Sequence, residues 1–148
     1  MHIDLASLHD LDDLAPLFDA YRQFYGFPPD LPTARAFLQA RLVRGESVIL
    51  LARDDTRHAT GFVQLYPTFS SLAPGPSFIL HDLYVAPEAR RSGIATTLLR
   101  AAETHARAAG AVSMTLATAV TNHAAQRLYE RLGWIRDTAF LTYERTLT

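Results

Sequence analysis

The sequence contains no cysteine, and this absence excludes several kinds of chemistry at once. Disulfide bonds, thiolate nucleophiles and metal centres with thiolate ligands cannot form. An excess of charge of one sign is also missing, because 14 Lys+Arg residues stand against 15 Asp+Glu residues and the formal net charge is −1. General binders of nucleic acid or anionic membranes carry a strong basic excess. We therefore expect neither as a partner, and any basic function must be local.

Long apolar runs are missing as well, so no segment reads as a membrane span. The opening residues, MHIDLASLHDLDDL, lack the basic and apolar regions of a secretory signal, and a cytoplasmic protein is expected. The 148 residues, 49% of them hydrophobic, fit one compact domain over 1–148. The 6 histidines show no metal-type spacing or carboxylate pairing, so no metal is expected.

The hydrophobic pattern switches repeatedly between strand and helix periodicity. It predicts a short strand, two helices, a hairpin around DDTRHA and a third long strand, FILHDLYV, with apolar residues on both faces. Ser7 and Asp10 form a capping-box pattern at the start of the first helix, and Thr33 is predicted to cap the second. A helix over about 92–109, the strand VSMTLAT, a helix capped by Asn122 and two final strands, WIRD and FLTYERTL, complete the chain. The order predicts an α/β protein with a mixed sheet and helices on its faces.

The stretch VAPEARRSGIATTLLRAA, residues 85–102, carries the clearest chemical signal. A strand that enters a turn and then a helix leaves unpaired N–H groups at the helix start, where the helix dipole favours an anion. Gly93 permits close backbone approach, Ala95 keeps the first turn narrow, and Arg90 and Arg91 can screen negative charge. The pattern suits a pyrophosphate, although a solvated basic helix start is the simpler alternative for so short a motif.

Two other nucleotide sites do not fit this stretch. The Walker loop needs G-x-x-x-x-G-K-[ST], which is absent. The dinucleotide fingerprint needs three glycines early in a βαβ unit, whereas this turn holds one glycine and follows a hairpin.

The turn instead resembles the acetyl-CoA loop, Q/R-x-x-G-x-G/A, of the GNAT N-acetyltransferase superfamily. A second superfamily pattern is an Asn that opens a helix carrying Ala and Leu-Tyr and followed by Gly-aromatic. It is matched by Asn122, Ala125, Leu128, Tyr129, Gly133 and Trp134. The stretches YRQFYGFPPDL, FLQAR and FLTYER are most similar to the branch that contains a yeast histone and polyamine acetyltransferase.

The resemblance implies a fold and a cofactor site. The fold is a mixed, mostly antiparallel sheet with a central, splayed parallel strand pair and helices on both faces. Pantetheine would pair with the backbone of Leu83, Tyr84 and Val85, and Asn122 would lie near the cofactor. The pyrophosphate would be held by Arg90, Arg91, Ser92, Gly93, Ile94 and Ala95. Arg91 departs from a frequent family glycine, which questions a glycine-like backbone there.

Acetyl transfer to an amine needs a neutral amine and a protonated leaving thiolate. Tyr129 matches the family tyrosine beside the cofactor sulfur and is expected to donate that proton, although its place on the apolar face of its helix also suits packing. His81 and Asp82 are candidate bases on opposite faces of one strand, with water and purely structural roles as the alternatives.

The acceptor cleft is the least specified part of the sequence. Tyr21, Phe24 and Tyr25 offer aromatic faces to a cationic amine, but their helical spacing also suits core packing. Four acids could attract a polyamine or a lysine-rich tail, yet such residues usually form a solvated helix face: Asp12, Asp13, Asp19 and Asp30.

The expected function is therefore acetyl-CoA-dependent N-acetyl transfer to a primary amine, by direct attack in a ternary complex. A small amine is favoured as acceptor, with polyamine or protein lysine next. The alternative is a non-catalytic acyl-CoA-binding module of the same fold. The resemblance further suggests a homodimer.

Overall fold

The computed structural model describes all 148 residues, which form two compact units, Met1–Ala117 and Thr118–Thr148. The first unit holds a five-stranded sheet with the order β1-β2-β3-β4-β5. Its strands are β1 (His2–Leu5), β2 (Val48–Arg53), β3 (Ala59–Ser70), β4 (Gly75–Val85) and β5 (Ser113–Leu116). Neighbours are antiparallel from β1 to β4, and β5 is parallel to β4. The predicted fold class, a mixed and mostly antiparallel sheet with one parallel pair, is confirmed.

Local signals set the starts of the first two helices, α1 (Leu11–Phe24) and α2 (Leu31–Val43). Ser7 and Asp10 form the reciprocal capping box ahead of α1. The Ser7 hydroxyl accepts from His9 N–H at 3.2 Å, and the Asp10 carboxylate accepts from Ser7 N–H at 2.9 Å. The predicted cap at Thr33 is wrong. Asp30 caps α2 instead, because its Oδ1 accepts from Thr33 N–H at 3.2 Å and thereby starts the helix earlier.

Helices cover both faces of the sheet. Phe18 of α1 and Leu38 of α2 pack with Phe62 and Tyr84 in one apolar core. The third helix, α3 (Ile94–Ala108), buries Leu98 and Leu99, and a methyl of Leu98 lies 3.4 Å from the position that a Cβ on Gly61 would take. Burial on both faces explains why β4 reads as a near-continuous apolar run in the sequence.

A β-bulge interrupts the pairing of β3 with β4. Gln64 pairs with Asp82, whereas the next residue, Leu65, pairs with Leu80, so that His81 is an extra residue on β4. A bulge re-aims the side chains beyond it, because the alternation of faces shifts by one position. Asp82 is consequently on the same face as Tyr84, toward α1, instead of continuing the face of Leu80.

The second unit contains one helix, α4 (His123–Arg131). Asn122 caps it as predicted, with Oδ1 accepting from Ala125 N–H at 3.2 Å. Residues 134–148 form no strand, so the prediction of two final strands is wrong. The pattern of FLTYERTL suits a strand, but a strand also needs a partner for its backbone groups, and the unit itself offers none. No helix anywhere in the structure combines the length and apolar character that a membrane span needs.

Candidate active site

The turn between β4 and α3 presents several unpaired backbone donors. Its first residues form a short 3₁₀ turn, Pro87–Ala89, and α3 then begins at Ile94. The first bond of α3 runs from Thr97 N–H to the Gly93 carbonyl at 3.0 Å, and no side chain caps the helix start. The N–H groups of Ile94, Ala95 and Thr96 therefore have no partner inside the helix. They point a positive dipole end at whatever lies before α3.

Two residues of this turn have left-handed backbone conformations. Gly93 has φ +80°, and a Cβ placed on it would meet no atom within 4 Å, so the space beside the helix start is open. Arg91 has φ +62° although it carries a side chain. Arg91 therefore adopts the backbone conformation that the frequent family glycine would adopt, at a cost in strain.

The two arginines of the turn do different things. Arg90 Nε donates to the Val85 carbonyl at 3.0 Å, and its guanidinium lies 5.7 Å from the centre of the Tyr84 ring. Arg90 thus ties the turn to the end of β4. The guanidinium of Arg91 is exposed and forms no hydrogen bond or ion pair in the structure, so it is the arginine available to an anion.

The end of β4 has a free edge. β5 accompanies β4 only from Ser77 to Leu80, and no strand pairs with β4 beyond that point on this side. The Tyr84 carbonyl oxygen lies 2.7 Å from the Cβ position of Gly61, which shows that the backbone groups of Tyr84 face β3. Because backbone direction alternates along a strand, the groups of Leu83 and Val85 face the free edge.

His81 and Asp82 form a close pair beside this edge. Their expected separation on opposite faces is wrong, since the bulge brings His81 Nδ1 to 3.2 Å from Asp82 Oδ1. The imidazole is 60% exposed, whereas the Asp82 side chain is 5% exposed. The second carboxylate oxygen, Oδ2, accepts from Gln64 Nε2 at 2.6 Å. A buried carboxylate is thus held between an amide and an accessible imidazole.

Tyrosines surround this pair. Tyr21 of α1 donates its hydroxyl to the His81 carbonyl at 3.4 Å, and the Tyr66 ring centre lies 5.3 Å from that of His81. Burial, reinforced by the negative charge of Asp82, raises the pKa of Tyr21 far above its usual value. The same two causes, in the same order, raise the pKa of Tyr66 to about 12. Both phenols therefore stay neutral hydrogen-bond donors at any physiological pH.

The predicted aromatic wall is present on α1. The Tyr21 and Tyr25 ring centres are 5.1 Å apart, and those of Phe24 and Tyr25 are 5.3 Å apart. Tyr21 also packs on Phe62 and so belongs partly to the core, whereas Phe24 and Tyr25 are half or more exposed. The structure thus brings Tyr21 to the His81–Asp82 pair. Phe24 and Tyr25 form an exposed aromatic surface that continues from Tyr21.

The four acids considered for attracting a polycation already have partners. Asp12 pairs with Arg35, and Asp13 lies 2.9 Å from Arg53. Asp19 is buried and accepts from the Asp30 N–H at 3.0 Å, while Asp30 caps α2. These carboxylates hold the fold together.

The two predicted site residues of the second unit can be described within that unit. The side-chain oxygen of Asn122 is occupied as the cap of α4. Tyr129 lies on the half-buried face of α4, and its ring centre is 6.4 Å from that of Trp134. Trp134 N–H donates to the Tyr129 carbonyl at 3.0 Å after Gly133 reverses the chain with φ +95°.

Sequence reasoning missed Gln64 and Tyr66. The signal for Gln64 was a polar residue between Val63 and Leu65 in a strand that is otherwise apolar. Its partner is 18 positions away, and nothing local indicates it. As for metals, no group of three or more histidine, aspartate or glutamate side chains comes together as a metal site.

Comparison with known proteins agrees with this arrangement. Residues 13–134 match the acetyltransferase (GNAT) family. The chain is 46% identical over 143 residues to the uncharacterized N-acetyltransferase YhfO of Bacillus subtilis, covering 97% of this chain and 95% of that protein. It is 30% identical over 100 residues to an aminoglycoside N(6')-acetyltransferase type 1 of Acinetobacter genomosp. 13, covering 66% of this chain and 68% of that protein.

Solved structures give the same picture. The crystal structure of a probable acetyltransferase superposes with a TM-score of 0.95 at 46% identity, covering 100% of this chain and 99% of that one. AAC(6')-Iy, solved with the bisubstrate analog CoA-S-monomethyl-acetylneamine, shares the fold with a TM-score of 0.78 at 19% identity, covering 99% of each chain.

Proposed function

Because the chain belongs to the acetyltransferase (GNAT) family, we propose that it transfers the acetyl group of acetyl-CoA to a primary amine of a small molecule by direct attack in a ternary complex. The observation that carries the proposal is the turn before α3, where the helix start lacks any cap and Gly93 leaves open space. An anion is the ligand that such a helix start favours.

The residues fit acetyl-CoA on two counts. Unpaired N–H groups from Ile94 to Thr96, with the guanidinium of Arg91, suit a pyrophosphate. The Leu83 backbone groups and the Val85 N–H at the free edge of β4 suit the amides of a pantetheine arm, which can pair like an added strand, whereas the Val85 carbonyl already accepts from Arg90 Nε. Tyr84 is removed from this backbone role because its carbonyl faces β3. Binding of acetyl-CoA by Arg90, Ser92 and Asn122 stays a prediction.

Acetyl-CoA supplies an activated thioester, and residues of the chain must accept the proton of the amine and donate one to the leaving thiolate. The neutral amine attacks the carbonyl carbon, the carbon–sulfur bond breaks, the nitrogen gives up a proton and the thiolate takes one. We assign His81 as the acceptor of the amine proton, because its imidazole is accessible and contacts the Asp82 carboxylate through Nδ1. By the family resemblance, Tyr129 protonates the thiolate. Direct attack follows from the absence of cysteine, since no thiol can carry the acetyl group.

The acceptor is proposed to be a small amine with one cationic nitrogen near an apolar body. Asp82 is the carboxylate beside the aromatic wall, and Tyr21 and Tyr25 offer ring faces to an ammonium or its alkyl chain. The engaged acids of α1 and α2 leave no acidic track for a polyamine. The aminoglycoside relative supports a small molecule over a protein lysine.

Calorimetric titration of acetyl-CoA into the protein tests the site. Gly93→Asp places bulk and negative charge at the helix start and should abolish binding. Gly110→Asp is the matched control, because Gly110 lies just beyond the other end of α3, has φ +77° and is equally open. Equal binding by both variants, or no binding by the parent, would contradict the proposed site.

Turnover with an amine panel separates an enzyme from an acyl-CoA-binding module. The panel holds an aromatic monoamine, spermidine, an aminoglycoside and a lysine peptide. Tyr129→Phe should keep acetyl-CoA binding and lose most of the turnover. Binding by the parent without turnover on any amine would favour the module.

Four expectations stay predictions: the single catalytic domain, the homodimer, the cytoplasmic location and the kinship with the yeast branch. Light scattering tests the dimer.

A further inference from the structure

We propose that Gln64 is a positioning residue for acetyl transfer: its amide fixes the Asp82 carboxylate so that His81 keeps its proton on Nδ1 and presents a bare Nε2 to the amine. The inference rests on the proposed function, since it assigns His81 as the proton acceptor. It gives a buried residue of β3 a part in the proton transfer.

The contacts divide the two carboxylate oxygens of Asp82 between two partners. Gln64 Nε2 donates to Oδ2 at 2.6 Å, and Oδ1 lies 3.2 Å from His81 Nδ1. Gln64 is completely buried and Asp82 is 4% exposed, so neither group exchanges its partner for water. The amide therefore fixes the rotation of the carboxylate plane and, with it, the direction from which Oδ1 meets the imidazole.

This geometry selects the imidazole tautomer. A carboxylate accepts hydrogen bonds and donates none, so Nδ1 has to be the donor in the His81–Asp82 contact. The other ring nitrogen, Nε2, is then unprotonated and can accept a proton. A free histidine side chain favours the opposite tautomer, with the proton on Nε2, and in that tautomer Nε2 could not accept the proton of the amine. The charge of Asp82 also stabilises the imidazolium that forms once the proton is taken.

The cost of this arrangement argues against a purely structural Gln64. Its Oε1 is buried and has no hydrogen-bond partner, although buried polar atoms in folded proteins are nearly always satisfied. A strand chosen for stability alone would carry an apolar residue between Val63 and Leu65. Gln64 thus leaves its Oε1 unsatisfied while its Nε2 bonds Asp82. Such a loss of stability is expected at residues that serve function.

Two tyrosines also lie close to the pair. Tyr21 approaches it from α1 and Tyr66 from β3, and Arg41 of α2 interacts with Tyr66. Burial raises the pKa of both phenols, so neither tyrosine ionises near neutral pH.

The test compares Gln64→Met, which keeps the length but loses the amide, with Thr60→Val as control. Thr60 is a buried polar residue of the same strand whose hydroxyl donates to the Ala52 carbonyl at 3.2 Å, away from Asp82. In Gln64→Met we expect kcat at neutral pH to fall about tenfold, with KM for acetyl-CoA unchanged. Nitrogen NMR of the His81 ring should show a shift toward the Nε2–H tautomer. Thr60→Val should leave all three quantities near those of the parent.

Unchanged kcat and an unchanged tautomer in Gln64→Met would overturn the inference, and so would equal losses in both variants, which would show a general weakening of β3. If the parent itself transfers no acetyl group to any amine, the proposed function fails. The ring signals still decide whether Gln64 sets the tautomer in that case, because they need no turnover.

Discussion

Arg91 and Gly93, two positions apart in the turn before α3, both hold left-handed backbone conformations, with φ +62° and +80°. A residue with a side chain occupies this region at a cost of roughly 1 kcal/mol or more, and glycine does not. The turn therefore keeps a strained arginine where a glycine would be relaxed. The strained residue places an exposed guanidinium beside the proposed pyrophosphate site.

Replacing Arg91 with Gly and with Ala separates strain from charge. Arg91→Gly should be more stable than Arg91→Ala by about 1 kcal/mol, because only glycine relieves the backbone. Both variants should weaken acetyl-CoA binding by about threefold to fivefold through loss of an exposed charge contact. Denaturant unfolding and calorimetry measure the two effects.

Arg57 provides the control for this pair, since it also has a positive φ, +72°, but lies between β2 and β3. Arg57→Gly and Arg57→Ala should reproduce the difference in stability and leave acetyl-CoA affinity unchanged. An affinity loss there as large as at Arg91 would count against a phosphate contact by Arg91.

Gly61 should tolerate no side chain. A Cβ would come 2.7 Å from the Tyr84 carbonyl oxygen and 3.3 Å from the Val85 Cα, both backbone atoms that cannot move alone. Gly61→Ala should lower the free energy of unfolding by about 1–3 kcal/mol and weaken acetyl-CoA binding by displacing the end of β4. At Gly75 the close atom belongs to the side chain of Val112, so Gly75→Ala should cost less. Equal losses at the two glycines would show that β3 and β4 separate easily at Gly61.

Tyr66 should make the fold sensitive to alkali. Its pKa is raised from 10.0 to about 12, mainly by burial, so the folded state holds the phenolic proton more tightly than the unfolded state does. The resulting stability is complete below pH 10 and is lost as the pH rises toward 12. Urea unfolding between these limits should show a smaller decline in Tyr66→Phe. Tyr143→Phe is the control, because that side chain is 87% exposed. If the free energy of unfolding declines as steeply in Tyr66→Phe as in the parent, the burial effect is contradicted.

The protein should not become acetylated on an internal side chain during the reaction. Its 14 basic residues are all arginine and there is no cysteine, so the side chains offer neither a lysine amine nor a thiol, and the Met1 amino group pairs with Asp55 at 2.7 Å. Intact-mass spectrometry after incubation with acetyl-CoA alone should show at most one added acetyl group, located at the amino terminus. An acetyl group on an internal side chain that disappears when amine is added would replace direct attack with a covalent route.

The sequence by itself determined the features that depend on neighbours within a few positions. The capping box of Ser7 and Asp10, the Asn122 cap and the strand–turn–helix around Gly93 were all predicted, because caps and turns are made by residues three or four apart. Two motifs in the right order were enough to indicate the family. The cap of α2 is Asp30, three residues before the predicted Thr33, which shifted the helix boundary and left the helix in place.

Only the tertiary structure decided the details of the site. Strand pairing set the bulge at His81, and a shift of one residue turned Asp82 toward Gln64 and α1. The short pairing of β5 with β4 exposed the backbone of Leu83 and Val85. The two final strands failed to form although their residues suit them, because a strand is completed by hydrogen bonds to a partner elsewhere in the chain. Register and partnership are long-range properties, and local sequence does not carry them.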